Sequence, residues 1–403
     1  MAVDTSTVPD VDPALLRWPV EPQQGGWYTA AEHAALDEVI RESDDWRTGW
    51  RQAAHLGRFE EAFAAYCGAG HAAGFNSGGT ALEMVLRALG LRAGDEVVSC
   101  AVNFVGPHVA VIGQGGRLVL AEPDPDTLGL DLVDTERRLT ARTRAILLTH
   151  WNGAVSDVRR FVELAARHPH PVHGPPKVIV DAARACGGRT PSGARVGAEG
   201  WATVFSFESK KLMTTLGQGG MVTTHDPALD ERLRLLRGYG GLGESWGTNQ
   251  MLSKAQAAVG LVQLARLEEM NAARIARAHA RTRALADVAE LTLPPTWHEG
   301  RHLYYRHNLL VPDAWAGAGR DELMRVLAAR YGVGSIISDP ITPHSKTLIR
   351  RHAAGQHVPR AERLTARLLC PVFHPQISYA DETEIRDAIR RAVADVARTR
   401  PTT

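Results

Sequence analysis

Apolar residues recur at three- and four-residue spacing over 58–66 and 80–89, the pattern of helices that bury one face. Short apolar runs follow at 96–102, 117–121, 145–149, 178–182, 203–207 and 220–223. Between them, segments near 104–114, 132–141, 156–168 and 227–237 carry helical spacing. Strands alternating with helices predict a mostly parallel sheet covered on both faces. Residues 56–251 are therefore expected to form one large α/β domain. Over 252–289 a single long helical stripe runs through Leu252, Ala255, Val259, Val262, Leu267, Met270 and Ile275, the expected connector to whatever follows. A strand over 302–311 and helices near 321–331 and 381–397 then predict a smaller C-terminal α+β domain over 290–403, its loops punctuated by Pro343, Pro359 and Pro371. Residues 1–55 read as an N-terminal arm and helix, the first 26 being rich in Pro, Asp and Gln.

Charge narrows the class of partner. The 403 residues carry 46 basic and 45 acidic side chains, and near-neutrality argues against a nucleic-acid or anionic-membrane binder. No run of about 18 uncharged apolar residues predicts a membrane span, and residues 1–20 have no signal-peptide core. Cys67, Cys100, Cys186 and Cys370 lie far apart with no CxxC pair, so buried thiols in a cytoplasmic protein are expected rather than zinc ligands. His168, His170 and His173 share a Pro-rich loop without an accompanying carboxylate or Cys, and no metal site is assigned to them. Trp46, Trp50 and Trp201 read as core or interface fillers.

The basic residues are unequal in kind. Only five are lysines (Lys177, Lys210, Lys211, Lys254 and Lys346), and the other 41 are arginines. A chemistry that needs a primary amine thus has five candidates, two of them adjacent. Three segments become informative together. Asn76-Ser77-Gly78-Gly79-Thr80 stands immediately before a helix, where glycines admit a ligand and the helix terminus offers free N–H groups and a positive dipole end, a cradle for phosphate. The apolar run ending in Asp181-Ala-Ala-Arg184 puts a carboxylate at the carboxyl end of a strand, where α/β sheets bind ligands. Phe205-Ser206-Phe-Glu-Ser-Lys210-Lys211 leads into a Gly-rich turn before another strand. A phosphate cradle, a carboxylate to protonate a pyridine nitrogen and a lysine to bond an aldehyde are the requirements of pyridoxal phosphate.

In their order and spacing these residues resemble the DegT/DnrJ/EryC1/StrS family of sugar and cyclitol aminotransferases, over roughly residues 17–398. The resemblance implies a fold type I PLP-dependent transferase and a likeness to 3-amino-5-hydroxybenzoate synthase. It places the Schiff-base lysine at Lys211, leaving Lys210 beside it. It likewise implies phosphate contacts from Ser206 and from Gly78, Gly79 and Thr80, with Gly79 standing where the family has Thr. Phe104 is the implied stacking partner of the ring, and Asp181 the partner of its nitrogen. Within Gly247-Thr-Asn249, Asn249 resembles the residue that reaches the phosphate of the partner subunit, which implies a homodimer with shared active sites. Gly-rich, Arg-rich composition suggests a high-GC bacterial source, where such enzymes often serve antibiotic biosynthesis.

The departures bear on the substrate. Arg184 stands where the family usually has Gln or His, near the cofactor's phenolic oxygen, and its charge could meet that oxygen or a substrate carboxylate. Met251 replaces an Arg, Leu216 lengthens the turn after the lysine, and Gln218 replaces a Glu. For Lys211 to act as a base its amine must be neutral for part of the cycle, which positive charge from Arg184 or Lys210 favours. The expected reaction is transfer of an amino group from an amino acid, glutamate or glutamine, to a ketosugar, ketocyclitol or related ketone. Elimination, dehydration or aromatisation on the same scaffold is the alternative, and a non-catalytic regulator is a third reading. His150-Trp151-Asn152-Gly153 at a strand end reads equally as a pocket wall or as loop packing. Tyr304, Tyr305, His307 and His344 fall in the smaller domain with no assigned role.

Overall fold

The computed structural model describes residues 13–19, 27–49, 53–296, 301–339 and 346–400; most of the N-terminal arm, Trp50, Pro343 and His344 lie outside them. Its main sheet has seven strands: β1 (His71–Phe75), β2 (Glu96–Cys100), β3 (Arg117–Ala121), β4 (Thr143–Thr149), β5 (Lys177–Asp181), β6 (Ala202–Ser206) and β7 (Gly220–Thr224). They lie in the order β1-β7-β6-β5-β4-β2-β3. Strands β2 to β6 run parallel, and β7 runs antiparallel to both β6 and β1. Central strands β2 and β4 are buried at every position, as a sheet covered on both faces requires. The fold is the expected mostly parallel α/β architecture.

β1 is the strand that apolar patterning misses. His-Ala-Ala-Gly-Phe has small side chains that leave no periodic signal, and its pairing with β7 supplies the stability. The register of that pairing sets up the ligand end of the sheet. Gly220 faces Phe75 on one side and Ser206 on the other, so the chain leaving β1 is brought against the end of β6.

The long helix Lys254–Ala284 starts at Ser253 in a capping box with Gln256. Its buried face is more polar than an apolar stripe suggests: Gln263, Asn271, Arg274 and Arg281 are buried with Leu264, Leu267 and Met270. Each of three finds a partner on another element. Gln263 donates to Glu32 at 2.7 Å, Asn271 donates to the Cys186 carbonyl at 3.0 Å, and Arg281 forks onto Glu382 at 2.6 and 2.7 Å. The helix is therefore a polar spine between layers.

Beyond it a second hydrophobic core gathers Leu285, Trp315, Leu327, Ile385 and Val393. It lies around the three-stranded sheet β8 (Leu309–Leu310), β10 (Leu368–Pro371) and β9 (Ser335–Ile336) and the helices Ala318–Tyr331 and Tyr379–Thr399. The strand expected over 302–311 shrinks to β8. Leu303, Tyr305 and Arg306 instead bond to the turn after β4, which holds this stretch in an irregular path. All four cysteines are buried. Trp46 is no core residue, being 85% exposed in the single chain, whereas Trp201 is half-buried and donates to Asp226 at 3.0 Å. Among the described residues no helix is long and apolar enough to cross a membrane.

Candidate active site

The carboxyl ends of β1, β2, β4, β5 and β6 lie at one edge of the sheet, and every candidate residue except Asn249 sits on them or on the loops that follow. At the phosphate end, Ser77 caps the helix Gly78–Leu89, its hydroxyl accepting from Thr80 N at 3.0 Å. The Ala81 N–H bonds the Ser77 carbonyl, while those of Gly78 and Gly79 have no acceptor among the described residues. Two oriented donors at a dipole end suit an anion. Gly78 is pressed against β6: a Cβ there would lie 2.8 Å from Ser206 Cβ and 3.2 Å from the Phe205 carbonyl oxygen. A Cβ on Gly220 would come within 2.5 Å of Ser77. A Cβ on Gly79 would meet only Ser77 Oγ at 3.8 Å. The register of β1, β7 and β6 thus packs Gly78 and Ser206 into one cradle, with Thr80 turned to the Ser77 hydroxyl.

Asp181 closes β5 and is buried, its carboxylate accepting from Ala183 N at 3.0 Å. Burial pushes its carboxyl above the usual range, opposed by the Ala183 N–H and by the charges of Lys211 and Arg184. A buried carboxylate held this way is suited to a cationic partner such as a protonated ring nitrogen. Lys211 follows β6 in a turn where its N–H bonds the Glu208 carbonyl at 2.8 Å. Its Nζ lies 6.0 Å from the centre of the Phe104 ring and 5.3 Å from that of Tyr305. Lys210, its neighbour, has its N–H on the Glu208 carboxylate at 3.1 Å. Leu216, the extra residue of the turn, takes a left-handed conformation (φ 62°), followed by Gly217 and Gly219 at positive φ.

Phe104 is half exposed at the start of the helix Val105–Gly113. Asn103 fixes it by accepting from Phe104 N at 2.8 Å while donating to Thr149 at 2.8 Å.

Arg184 has a partner that its sequence position did not disclose. Its guanidinium forks onto Asp339, three residues beyond β9, one arm at 2.8 Å, and lies 4.9 Å from the centre of the Tyr305 ring. Burial raises the Asp339 carboxyl, but the Arg184 guanidinium more than offsets it and holds the group below its ordinary value. The charge that Arg184 brings to the pocket is therefore balanced by a carboxylate.

Tyr305 reaches the site through the turn after β4. Asn152 there is left-handed (φ 55°); its amide donates to the Arg306 carbonyl at 2.9 Å and accepts from Arg306 N at 2.8 Å. Its own carbonyl accepts from Tyr305 N at 3.0 Å. The turn Trp151–Gly153 is thus the clamp that aims Tyr305. His150 before it donates its backbone N–H to the Asp181 carbonyl at 3.0 Å. Asn249 is exposed on a segment bridged to Gly238, and its neighbour Gln250 accepts from the Asn76 amide at 2.8 Å. Among the described residues no hydrogen bond joins the Asn249 side chain to the cluster. His168, His170 and His173 stay on a surface loop, His168 beside Glu136 at 3.2 Å.

The DegT/DnrJ/EryC1/StrS aminotransferase family profile matches residues 29–390. The chain is 35% identical over 337 residues to dTDP-3-amino-3,4,6-trideoxy-alpha-D-glucose transaminase of Streptomyces venezuelae, covering 82% of this chain and 85% of that one. It is 32% identical to L-glutamine:2-deoxy-scyllo-inosose aminotransferase of Streptomyces kanamyceticus, covering 96% and 94%. The crystal structure of S. venezuelae DesV superposes with a TM-score of 0.81 at 34% identity, over 90% of this chain and 94% of that one. The free cradle donors, the buried carboxylate and the flanked amine fit the cofactor these enzymes use. The chain belongs to the DegT/DnrJ/EryC1/StrS family and is an aminotransferase whose cofactor is pyridoxal phosphate.

Proposed function

We propose that this aminotransferase takes its amino group from L-glutamate or L-glutamine and delivers it to the keto carbon of a sugar, cyclitol or related small ketone, in the cytoplasm and in secondary-metabolite (antibiotic) biosynthesis. The observation that carries the catalytic assignment is the Lys211 amine flanked by the Phe104 and Tyr305 rings and close enough to Asp181 to act on its carboxyl. Sugar and cyclitol transaminases among the relatives support the acceptor class, and a glutamine-dependent one supports the donor.

Pyridoxal phosphate, when bound, supplies an electron sink for the charge left at a deprotonated carbon. Gly78 and Gly79 N–H groups and the Ser206 hydroxyl would hold its phosphate, Asp181 would keep a proton on its ring nitrogen, and Lys211 is the amine that would hold its aldehyde end. The Lys211 Nζ takes up the proton leaving the donor's Cα, and returns a proton to the acceptor carbon in the second half of the cycle. Phe104 covers the ring, and Tyr305 with the Arg184–Asp339 pair walls the pocket from the smaller domain. The exposed Asn249 is suited to complete the neighbouring cradle, so that the working unit is a homodimer.

Three measurements test this. Purified enzyme given L-glutamate and a panel of keto-sugars and keto-cyclitols should form 2-oxoglutarate in step with the new amine; ammonia without keto acid would instead mean elimination. Borohydride reduction and peptide mapping should label Lys211, and a label on Lys210 would overturn the assignment. Mixing inactive Lys211→Ala with inactive Asn249→Ala subunits should restore activity, because half of the hybrid's sites would be intact.

A further inference from the structure

The two cradle donors have a rival acceptor beside them. Asn76 directly precedes Ser77, so the Gly78 and Gly79 N–H groups stand two and three residues beyond it. A short amide or carboxylate side chain readily accepts from N–H groups at those two offsets, above all at helix starts. The chain does so elsewhere. Asp226 takes the N–H groups of Ala228 and Leu229 at 3.0 and 3.3 Å, and Asp124 takes those of Asp126 and Thr127 at 3.1 and 2.9 Å. Asn76 does not. Among the described residues its side chain makes one hydrogen bond, Nδ2 donating to Gln250 Oε1 at 2.8 Å, and neither glycine N–H is taken.

Gln250 is fixed by contacts that do not involve the ligand. Its N–H donates to the Arg237 carbonyl at 3.1 Å, and its carbonyl accepts from Asn76 N at 2.8 Å. Nearby, Thr248 N donates to the Leu236 carbonyl at 2.9 Å and Asn249 bridges to Gly238. Arg237 ends the helix Pro227–Arg237; it is buried and donates to the Gly74 carbonyl of β1 at 2.6 Å. The segment bearing Gln250 is thus pinned beside the strand that leads into the cradle. From there its side-chain amide meets that of Asn76.

We infer that Gln250 is a positioning residue for the phosphate end of the site. By engaging the Asn76 amide it keeps that side chain off the helix start, and so leaves the Gly78 and Gly79 N–H groups open to phosphate. This role rests on the reading of those two groups as phosphate donors. Without Gln250, the Asn76 amide would turn onto one of them, and phosphate would have to displace it at the cost of about one neutral hydrogen bond. Damage of this kind has a signature: it is repaired by deleting Asn76 as well.

The test uses the full-length chain stripped of cofactor, with affinity read by absorbance for two probes. One is pyridoxal phosphate; the other is pyridoxal, which has the same ring and aldehyde but no phosphate. The wild type should strongly prefer pyridoxal phosphate. Gln250→Ala, and Gln250→Met which keeps the bulk, should each weaken pyridoxal phosphate about fivefold and change pyridoxal by less than about twofold. Asn76→Ala alone should bind as the wild type does. Asn76→Ala combined with either Gln250 variant should restore affinity to within about twofold of the wild type. A packing fault, or a part for Gln250 in subunit contact, would not be undone by removing a second side chain. A double variant no tighter than the Gln250 single variant therefore overturns the proposal while leaving the phosphate donors standing, as does equal loss for both probes. A wild type indifferent to the phosphate group would remove the donors themselves, and the role of Gln250 with them.

Discussion

Gly78 and Gly79 are adjacent in sequence yet face opposite constraints. A side chain at Gly78 collides with Ser206 and the Phe205 carbonyl, whereas at Gly79 it enters open space. Gly78→Ala should therefore push the helix start off β6 and weaken pyridoxal phosphate retention at least about tenfold, read by absorbance after dialysis, with little change in far-UV circular dichroism. Gly79→Thr, which installs the residue usual in the family, should be tolerated. It should raise thermal stability by only about 0.3 kcal/mol, the difference between glycine and the β-branched threonine in a helix, and leave retention equal or better. If both substitutions released the cofactor alike, the cradle geometry would be wrong. The Lys210–Lys211 pair, Asp181 and the glycine-rich helix start could be picked out because each is tied to a local pattern, a strand end or a helix start, while the choice of Lys211 rests on the family resemblance. Asp339 and the aim of Tyr305 could not. Both depend on single left-handed residues, Asp339 itself (φ 47°) and Asn152 (φ 55°), which redirect the chain. No periodicity reports such a turn.

Among elements, the long helix Lys254–Ala284 shows where polar burial replaces packing. Arg281 is fully buried, forked onto Glu382 of the helix Tyr379–Thr399 and bonded to the Val372 carbonyl at 2.8 Å. Removing one member of such a pair strands a charge at about 3–5 kcal/mol, while replacing both with apolar residues is far less costly. Glu382→Ala should lower the denaturant midpoint sharply, and Arg281→Met combined with Glu382→Leu should recover most of the loss. A double variant no better than Glu382→Ala would show that the Val372 contact, not the pair, is what matters. The long helix could be read from apolar spacing, but its buried arginines could not, since spacing treats every Arg as surface. The same logic explains the strands. β2 to β7 announce themselves as apolar runs, whereas β1 and the two- to four-residue β8, β9 and β10 owe their existence to partners distant in sequence.

For the molecule as a whole, acid is the condition to which the fold is most exposed. His108, His150, His302 and His307 are all buried. Burial lowers the first three to about 4, about 3 and about 3 respectively. Burial, with the charge of Arg281, holds His307 well below its ordinary value. His108, His150 and His302 are largely neutral in the folded chain at pH 5 and burial disfavours the charged form of His307 as well, whereas the unfolded chain protonates them below about 6.5. Between those limits the unfolded state binds more protons, so stability rises with pH up to about 6.5 and is lost as pH falls below it. Each histidine contributes a slope of up to about 1.4 kcal/mol per pH unit. Asp181 acts in the opposite sense: burial raises its pKa, so its carboxylate form is a cost near neutrality, which a bound pyridinium offsets. The melting temperature of the cofactor-free enzyme should thus fall steeply from pH 6.5 to 5 and change little from 6.5 to 7.5. Cofactor loading should add more stability at pH 7 than at pH 4. His150 accepts from Ser156 N at 3.2 Å, a bond an Asn oxygen can replace. His150→Asn should therefore flatten the acid limb by one histidine's share, and a limb parallel to the wild type's would move the acid sensitivity to other groups.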